Sequence, residues 1–343
     1  MNKVATEMTE LQKALKDIQK DFGDGSAFLL GENKHVDCEW IKVDSLRLSR
    51  IMGGGIPRGK VIEIFGWESH GKTTVASYLI GQAQKAGFNC AFIDAEHAYE
   101  PKYARKVGVD IEKLIFAQPD SGEQALSLCE QMIDTIPNLA IIVIDSIASL
   151  TPQAEIDGDM GDAHMGLQAR LLSQAMRKLT SKLQKKKVTL IAINQIRLKI
   201  GIMYGNPETT PGGNAVKFYS SIRLNVRKQK DDIMEGKNLK GIRIKVKAIK
   251  NKLATPMRED ILDLYFASGF DVLGEVIDFG IHYGIIEKRG GWYYLENQEK
   301  FHGKDALDEY YMLHTEELYK LKDIVYAKIE DNSEETDGSS DYE

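Results

Sequence analysis

Apolar side chains recur near the start of the chain at spacings of three and four: Met8, Leu11, Leu15, Ile18 and Phe22. This rhythm predicts a helix of about four turns with one apolar stripe, stopped by Gly23 and Gly25. Such a stripe must be covered, either by its own domain or by a neighbouring copy. Farther on, Val61–Phe65, Cys90–Asp94, Leu114–Ala117, Ala140–Asp145 and Val188–Ile193 are short, nearly unbroken apolar runs. Runs of this kind read as strands buried on both faces. Helical stretches, Thr73–Ala86 and Glu123–Ile136 among them, lie between. The alternation predicts an α/β fold built on a doubly wound, mostly parallel sheet. Past residue 215 the pattern changes. Phe218–Val226 and Gly241–Ile249 read as strands with no helix between them, an antiparallel extension of the sheet. Ser268–Gly269 marks a boundary, and residues 270–329 then form a small α+β module. No internal repeat is present.

Composition narrows the class. With 43% hydrophobic and 28% charged residues among 343, the chain can bury a large core. No apolar run approaches the roughly 18 residues that cross a bilayer. The N-terminus, with Glu7 and Glu10, lacks the apolar segment of a secretory signal. Cys38, Cys90 and Cys129 stand in no metal-ligand spacing and read as buried or idle thiols of a cytoplasmic protein. A net charge of −6 weighs against nucleic acid, so any DNA site must gather its cations locally. Part of the acidic excess sits in residues 330–343, which hold seven carboxylates and no Lys or Arg. That stretch is expected to be a disordered tail. It is either a solubilising end or a nucleic-acid mimic competing for the protein's own basic surface.

The chemistry begins at Gly66-Trp67-Glu68-Ser69-His70-Gly71-Lys72-Thr73, a phosphate-binding loop of the form G-x-x-x-x-G-K-[ST] placed after a strand. Its glycines let backbone N–H groups face the phosphates, and the following helix adds its dipole. Lys72 supplies a point charge, and Thr73 supplies a hydroxyl for Mg²⁺. The apolar strand ending at Asp145 has the form of a Walker B segment, whose carboxylate holds the metal shell. Glu96, just past the strand Cys90–Asp94, is the candidate base for water attack, because ligands collect at the carboxyl ends of parallel strands. His70 and His97 read as loop histidines.

A second constellation points to DNA. The stretch from Asn194 to Asn214 is long and rich in Gly and Pro, and such loops are usually functional or disordered. It sets Arg197 and Lys199 beside Ile200, Ile202, Met203 and Tyr204. Cations can take phosphates while apolar side chains wedge between bases, and Gly212 and Gly213 allow backbone contact. The alternatives are a lid over nucleotide or a subunit contact. On the helix that follows Asp157–Gly166, Leu171, Ala175, Leu179 and Leu183 share one face, with Arg170, Ser173 and Arg177 opposite. That opposite face is a DNA surface or simply a solvated one. Arg227, Lys228, Lys230, Lys245 and Lys247 form a third basic cluster, able to receive a duplex weakly or merely to protect an edge strand.

These motifs, taken in order, resemble the bacterial RecA recombinase family. The series runs from Gly53–Gly59 through Gly66–Thr74, Ala91–Ala98, Tyr103–Lys106, Gln118–Asp120, Gly122–Ala125, Asp145-Ser146, Gly161–Gly166, Ser173–Leu179 and Ile193–Ile200 to Gly205–Phe218. It covers about residues 20–295 and admits a phage-encoded member. The resemblance implies an ATP-dependent recombinase with Mg²⁺ as cofactor. Such a protein forms helical homo-oligomeric filaments on single-stranded DNA and pairs them with homologous double-stranded DNA, in recombinational repair and the SOS response to DNA damage. A non-DNA P-loop ATPase or kinase is the rival reading.

The resemblance also assigns roles. Thr74 completes the nucleotide loop, Tyr103 stacks on adenine, and Glu100 stands where the family has Asp. Gln195 senses the γ-phosphate for the DNA loop. Lys250 and Lys252 reach the neighbour's nucleotide, Phe218 lies at the subunit interface, and the N-terminal helix docks on the neighbour. Met165 and Gly166 join Arg170, Ser173 and Arg177 on the axial DNA path, and Ile200, Thr209, Thr210 and Asn214 join Arg197, Lys199, Gly212 and Gly213 in the DNA loop. Trp67 replaces the usual Pro and His70 the usual Ser. The expected division is 1–33 (oligomerisation helix and linker), 34–269 (ATPase core), 270–329 (C-terminal domain) and 330–343 (tail). A repressor or mediator protein is a further partner the resemblance allows.

Overall fold

The computed structural model describes residues 10–23, 26–29, 38–159, 166–199, 205, 207–297 and 299–335, with the backbone alone for 330–335. Met8, Gly25, Met165, Ile200, Ile202, Met203, Tyr204 and the tail after 335 lie outside the described residues. The chain divides into residues 1–39 and 40–343.

The first unit carries helix α1 (Glu10–Phe22), as the stripe predicts. Gly23 ends it at φ 94°, in the left-handed region that glycine enters without strain. Leu11, Ile18 and Phe22 are exposed, so the stripe is not spent within its own unit.

The second unit opens with β1 (Trp40–Ile41), α2 (Leu46–Met52) and β2 (Ile56–Pro57). Alternating elements follow: β3 (Val61–Gly66), α3 (Lys72–Lys85), β4 (Asn89–Asp94), α4 (Pro101–Lys106), β5 (Leu114–Ala117), α5 (Gly122–Thr135) and β6 (Leu139–Asp145). A 3₁₀ turn (Ile147–Ser149) and α6 (Gln153–Ile156) precede the long helix α7 (Leu167–Lys186), and β7 (Thr189–Gln195) comes next. Then come β8 (Arg197–Leu198), β9 (Glu208–Thr209), α8 (Ala215–Tyr219), β10 (Ile222–Glu235), β11 (Asn238–Asn251), β12 (Glu259–Tyr265) and β13 (Gly269–Phe270). The C-terminal part holds α9 (Val272–His282), β14 (Glu287–Arg289), β15 (Trp292–Tyr294), β16 (Lys300–His302), α10 (Lys304–Leu313) and α11 (Thr315–Glu335).

The main sheet runs β13-β12-β11-β10-β3-β7-β6-β4-β5. From β10 to β5 neighbouring strands are parallel, and β11 to β13 extend the sheet antiparallel. The pleat explains the unbroken apolar runs. Ile62, Ile64, Ile141 and Val143 enter a core shared with α2 and α3. Val61, Ile142 and Ile144 enter the opposite core with α5 and α7. Both faces are covered, so nearly every position is apolar; among the buried exceptions, Glu63 and Asn194 are hydrogen-bonded to each other, and Arg223 pairs with Glu63.

Three expectations need correction. Phe218 and Tyr219 belong to α8, not to a strand. Val216 turns inward, Ser220 Oγ donates to the Val216 carbonyl at 2.6 Å, and strand alternation begins only at Ile222. The inward face of α7 is Leu172, Ala175, Met176, Leu179 and Leu183, while Leu171 is only partly buried. Residues 330–335, read as tail, continue the α11 backbone. A small antiparallel sheet, β14-β15-β16, packs with α9 to α11 around Val276, Ile277, Tyr293, Leu307 and Leu321. Among the described residues no helix is long and apolar enough to cross a membrane.

Candidate nucleotide and DNA site

β3 delivers the phosphate loop into the crevice beyond the carboxyl ends of the parallel strands. Gly66 must lack a side chain, because a Cβ there would stand 2.3 Å from the Val226 carbonyl oxygen on β10. Gly71 (φ 91°) and Ser69 (φ 59°) are left-handed, which curls the chain into α3. Trp67 to His70 line the turn. Lys72 Nζ folds back to donate to the Trp67 carbonyl at 2.8 Å, and burial holds its pKa below the ordinary lysine value. Burial, with Lys72 and Arg227 nearby, likewise pushes His70 down, so its imidazole is neutral.

Thr73 Oγ1 donates to Asp145 Oδ2 at 2.6 Å. Burial pushes the Asp145 carboxyl up to about 6, against the opposing pull of the Thr73 hydrogen bond. A buried carboxylate touching a hydroxyl in front of a phosphate loop is the donor set that a hard cation completes. Among the described residues no group of three or more metal-ligating side chains exists. Thr73 and Asp145 are the residues that would hold Mg²⁺ together with nucleotide phosphates.

Glu96 follows β4. Its Oε1 accepts from Ser146 Oγ (2.5 Å), Gln195 Nε2 (2.8 Å) and Ser149 Oγ (3.3 Å). Asp94 shapes the approach, accepting from the backbone of Ala98 and Tyr99 and from Gln118 Nε2. The structure thus brings Lys72, Thr73, Asp145, Glu96 and Gln195 together. The sequence reading gave Ser146 no role; its place directly after Asp145 was the available signal. Thr74 Oγ1 lies 3.4 Å from the Tyr103 hydroxyl, which puts Tyr103 beside the loop. Glu100 caps α4, accepting from the Lys102 backbone N–H at 3.0 Å.

Lys250 and Lys252 lie elsewhere. Lys250 pairs with Arg223, which pairs with Glu63 in β3, three residues before the strand ends at Gly66. At about 3.3 Å per residue the phosphate loop begins roughly 10 Å beyond. Both ammonium groups instead donate to α8 carbonyls, Lys250 to Lys217 (2.6 Å) and Phe218 (3.1 Å), Lys252 to Phe218 (3.4 Å). Phe218 itself is 71% exposed.

The candidate DNA loop is more ordered at its base than its composition suggests. β8 and β9 form a short antiparallel hairpin pairing Arg197 with Thr209, and Lys199 N donates to the Pro207 carbonyl. Ile196 N donates to the Gly66 carbonyl, so the hairpin begins against the phosphate loop. Arg197 and Lys199 are exposed, whereas Thr210 is only 5% exposed, which removes it from direct DNA contact. Thr209 accepts from Lys217 Nζ at 3.2 Å. Gly212 and Gly213 are left-handed, and added Cβ atoms would lie 2.5 Å from Leu172 and 3.0 Å from Ala169. They bring the end of the loop onto α7 at Ala169 and Leu172, the helix that also carries Arg170, Ser173 and Arg177. Arg170 and Arg177 are exposed.

The third basic cluster is largely neutralised. Arg227 pairs with Glu208, Lys228 with Asp232 (3.0 Å), and Lys245 and Lys247 share Glu259 (2.6 and 2.9 Å). Asp232 lies four residues from Lys228 on the same strand, whereas Glu208 and Glu259 come from other strands, so reading the cations alone overstated the patch.

Comparison with known proteins agrees with this geometry. The family model of the RecA N-terminal domain matches residues 9–271, and that of the RecA C-terminal domain matches 274–330. The chain is 50% identical over 321 residues to Protein RecA of Thermus aquaticus, covering 93% of this chain and 94% of that one. It is 50% identical over 304 residues to Protein RecA of Clostridium novyi (88% and 86% covered), and 47% identical over 322 residues to that of Heliobacterium modesticaldum (93% and 92%). With two RecA family models matching residues 9–271 and 274–330 and relatives about 50% identical along most of their length, the chain belongs to the RecA family.

Proposed function

We propose that this chain is a DNA-dependent ATPase that assembles on single-stranded DNA and exchanges strands with a homologous duplex, working in the cytoplasm. The observation that carries the reading is the Gln195–Glu96 hydrogen bond, which joins the base of the candidate DNA hairpin to the candidate base for hydrolysis. Lys72 and the backbone of the loop bind the ATP phosphates, Tyr103 stacks on adenine, and Thr73 and Asp145 hold Mg²⁺, which when bound draws charge from the phosphates. Glu96 orients a water and accepts its proton. Lys250, Lys252 and Phe218 of one protomer face the nucleotide of the next. Head-to-tail contacts that do not close then extend the assembly into a helical filament. Single-stranded DNA lies against α7 and the β8–β9 hairpin, held by Arg170, Arg177, Arg197 and Lys199. Residues 34–269 act as the ATPase core and 270–329 as an appended module.

ATP turnover measured with and without single-stranded DNA, alongside a strand-exchange gel, tests the reading. Stimulation by DNA and product joint molecules are expected, and Lys72→Ala should abolish nucleotide-dependent DNA binding. Turnover indifferent to DNA would instead describe a non-DNA P-loop ATPase or kinase.

A further inference from the structure

Gln168 sits in the first turn of α7, between Gly166 and Arg170. Its side chain reaches back to the turn that follows β6. The amide Nε2 donates to three backbone carbonyls in one neighbourhood: Ile147 at 3.2 Å, Ala148 at 3.0 Å and Leu150 at 3.1 Å. An amide nitrogen carries two hydrogens, so at least one is shared between carbonyls. Those carbonyls belong to the 3₁₀ turn and the residue after it. The same turn presents Ser149, and Ser146 caps its start; both hydroxyls donate to Glu96 Oε1, and the two hydroxyls lie 3.3 Å apart. The Ser149 backbone N–H donates to the Ser146 carbonyl at 3.1 Å, so the two move as a unit.

The end of the candidate DNA loop, just after β9, bears on the same end of α7. Gly213 lies against Ala169 and Gly212 against Leu172, one and four residues after Gln168 in sequence. A shift of this helical turn relative to β6 would therefore load the three Gln168 hydrogen bonds. It would move the two hydroxyls that, with Gln195, set the orientation of Glu96.

We infer that Gln168 is a positioning residue that couples the DNA-facing end of α7 to Glu96 through the turn Ile147–Ser149, a route separate from Gln195. The inference rests on the proposed roles of Glu96 and α7. Gln168 touches neither nucleotide nor DNA in this route; it acts through the turn. The three-carbonyl pocket accepts only a donor, which gives the test its sign. Gln168→Ala empties the pocket, Gln168→Glu sets a carboxylate against three carbonyl oxygens, and Gln168→Lys keeps a donor.

The experiment measures ATP turnover at saturating single-stranded DNA and without DNA for the full chain, together with KM for ATP, the midpoint of DNA binding and a thermal melt. For Gln168→Ala and Gln168→Glu the DNA-stimulated kcat should drop roughly three- to ten-fold, as for loss of one or two oriented hydrogen bonds. KM and the DNA midpoint should stay within about two-fold, because neither ligand loses a contact. Gln168→Lys should recover most of the rate. Ser149→Ala, at the far end of the route, should lower the same kcat, and combining it with Gln168→Ala should cost less than the product of the two. This pair keeps the test alive if a Gln168 variant fails to fold. A Gln168→Ala protein with wild-type stimulation, a Lys variant as impaired as the Glu variant, or fully multiplicative effects with Ser149→Ala would each overturn the inference. Absence of DNA stimulation in the unsubstituted protein would strike the proposed function itself.

Discussion

Glu96 is held by three donors on a single oxygen, so its position is set by neighbours rather than by its charge. Glu96→Gln keeps the shape and an acceptor but cannot take a proton. ATP binding should persist while turnover drops by about 10²- to 10⁴-fold, the range for losing a general base; equilibrium nucleotide binding and phosphate release on the same protein check both halves. Lys72, Thr73, Asp145 and Glu96 were legible because each sits at a fixed offset from a strand end. Glu100 and Thr210 were not, because helix capping and burial depend on which backbone N–H or neighbour the fold supplies. Gln168 gave no signal either, since its partners are backbone carbonyls about 20 positions away in sequence.

Among the elements, β12 controls the third basic cluster by presenting Glu259 to Lys245 and Lys247 on β11. Glu259→Gln should release both lysines toward phosphate, tightening duplex binding and steepening its salt dependence; binding isotherms at several salt concentrations decide this, and unchanged affinity would remove the two lysines from a secondary DNA site. Helix α9 meets α2 through a buried carboxyl. Glu275 is 3% exposed and accepts from Ser45 Oγ at 3.0 and 2.8 Å and from the Arg47 N–H, with Tyr78 and Asp260 close by. Burial pushes it from the ordinary 4.5 up to about 7. Between these values the folded protein keeps a proton that the unfolded chain releases, so stability falls as pH rises through this window. The loss amounts to about 3 kcal/mol at most. Glu275→Gln mimics the protonated acid, and its melting temperature should exceed that of the parent at pH 8 and converge with it near pH 5. The sequence showed a small α+β module after residue 270 but not this contact, which joins residues 230 positions apart.

For the whole molecule, the separation of Lys250 and Lys252 from the protein's own phosphate loop makes a composite ATP site testable. Lys72→Ala and Lys250→Ala should each be inactive alone. Mixed in equal amounts, they should recover about a quarter of the parent turnover, because one interface in four then joins two intact halves of a head-to-tail contact. A mixture as inactive as its components would place both lysines outside the neighbour's site. What the sequence determined by itself was the local chemistry and the layering: the phosphate loop after β3, the Walker B-type carboxylate closing β6, the parallel sheet and the position of the candidate DNA loop. Each is encoded by residues adjacent along the chain or by a period of two or 3.6. Only the tertiary structure decided which cations remain free, which loop residues are buried, where Lys250 and Lys252 stand, and how α7 reaches Glu96. Those outcomes turn on pairings between distant segments. A side chain's type states what it can bind, while the fold alone sets which partner lies within 3 Å.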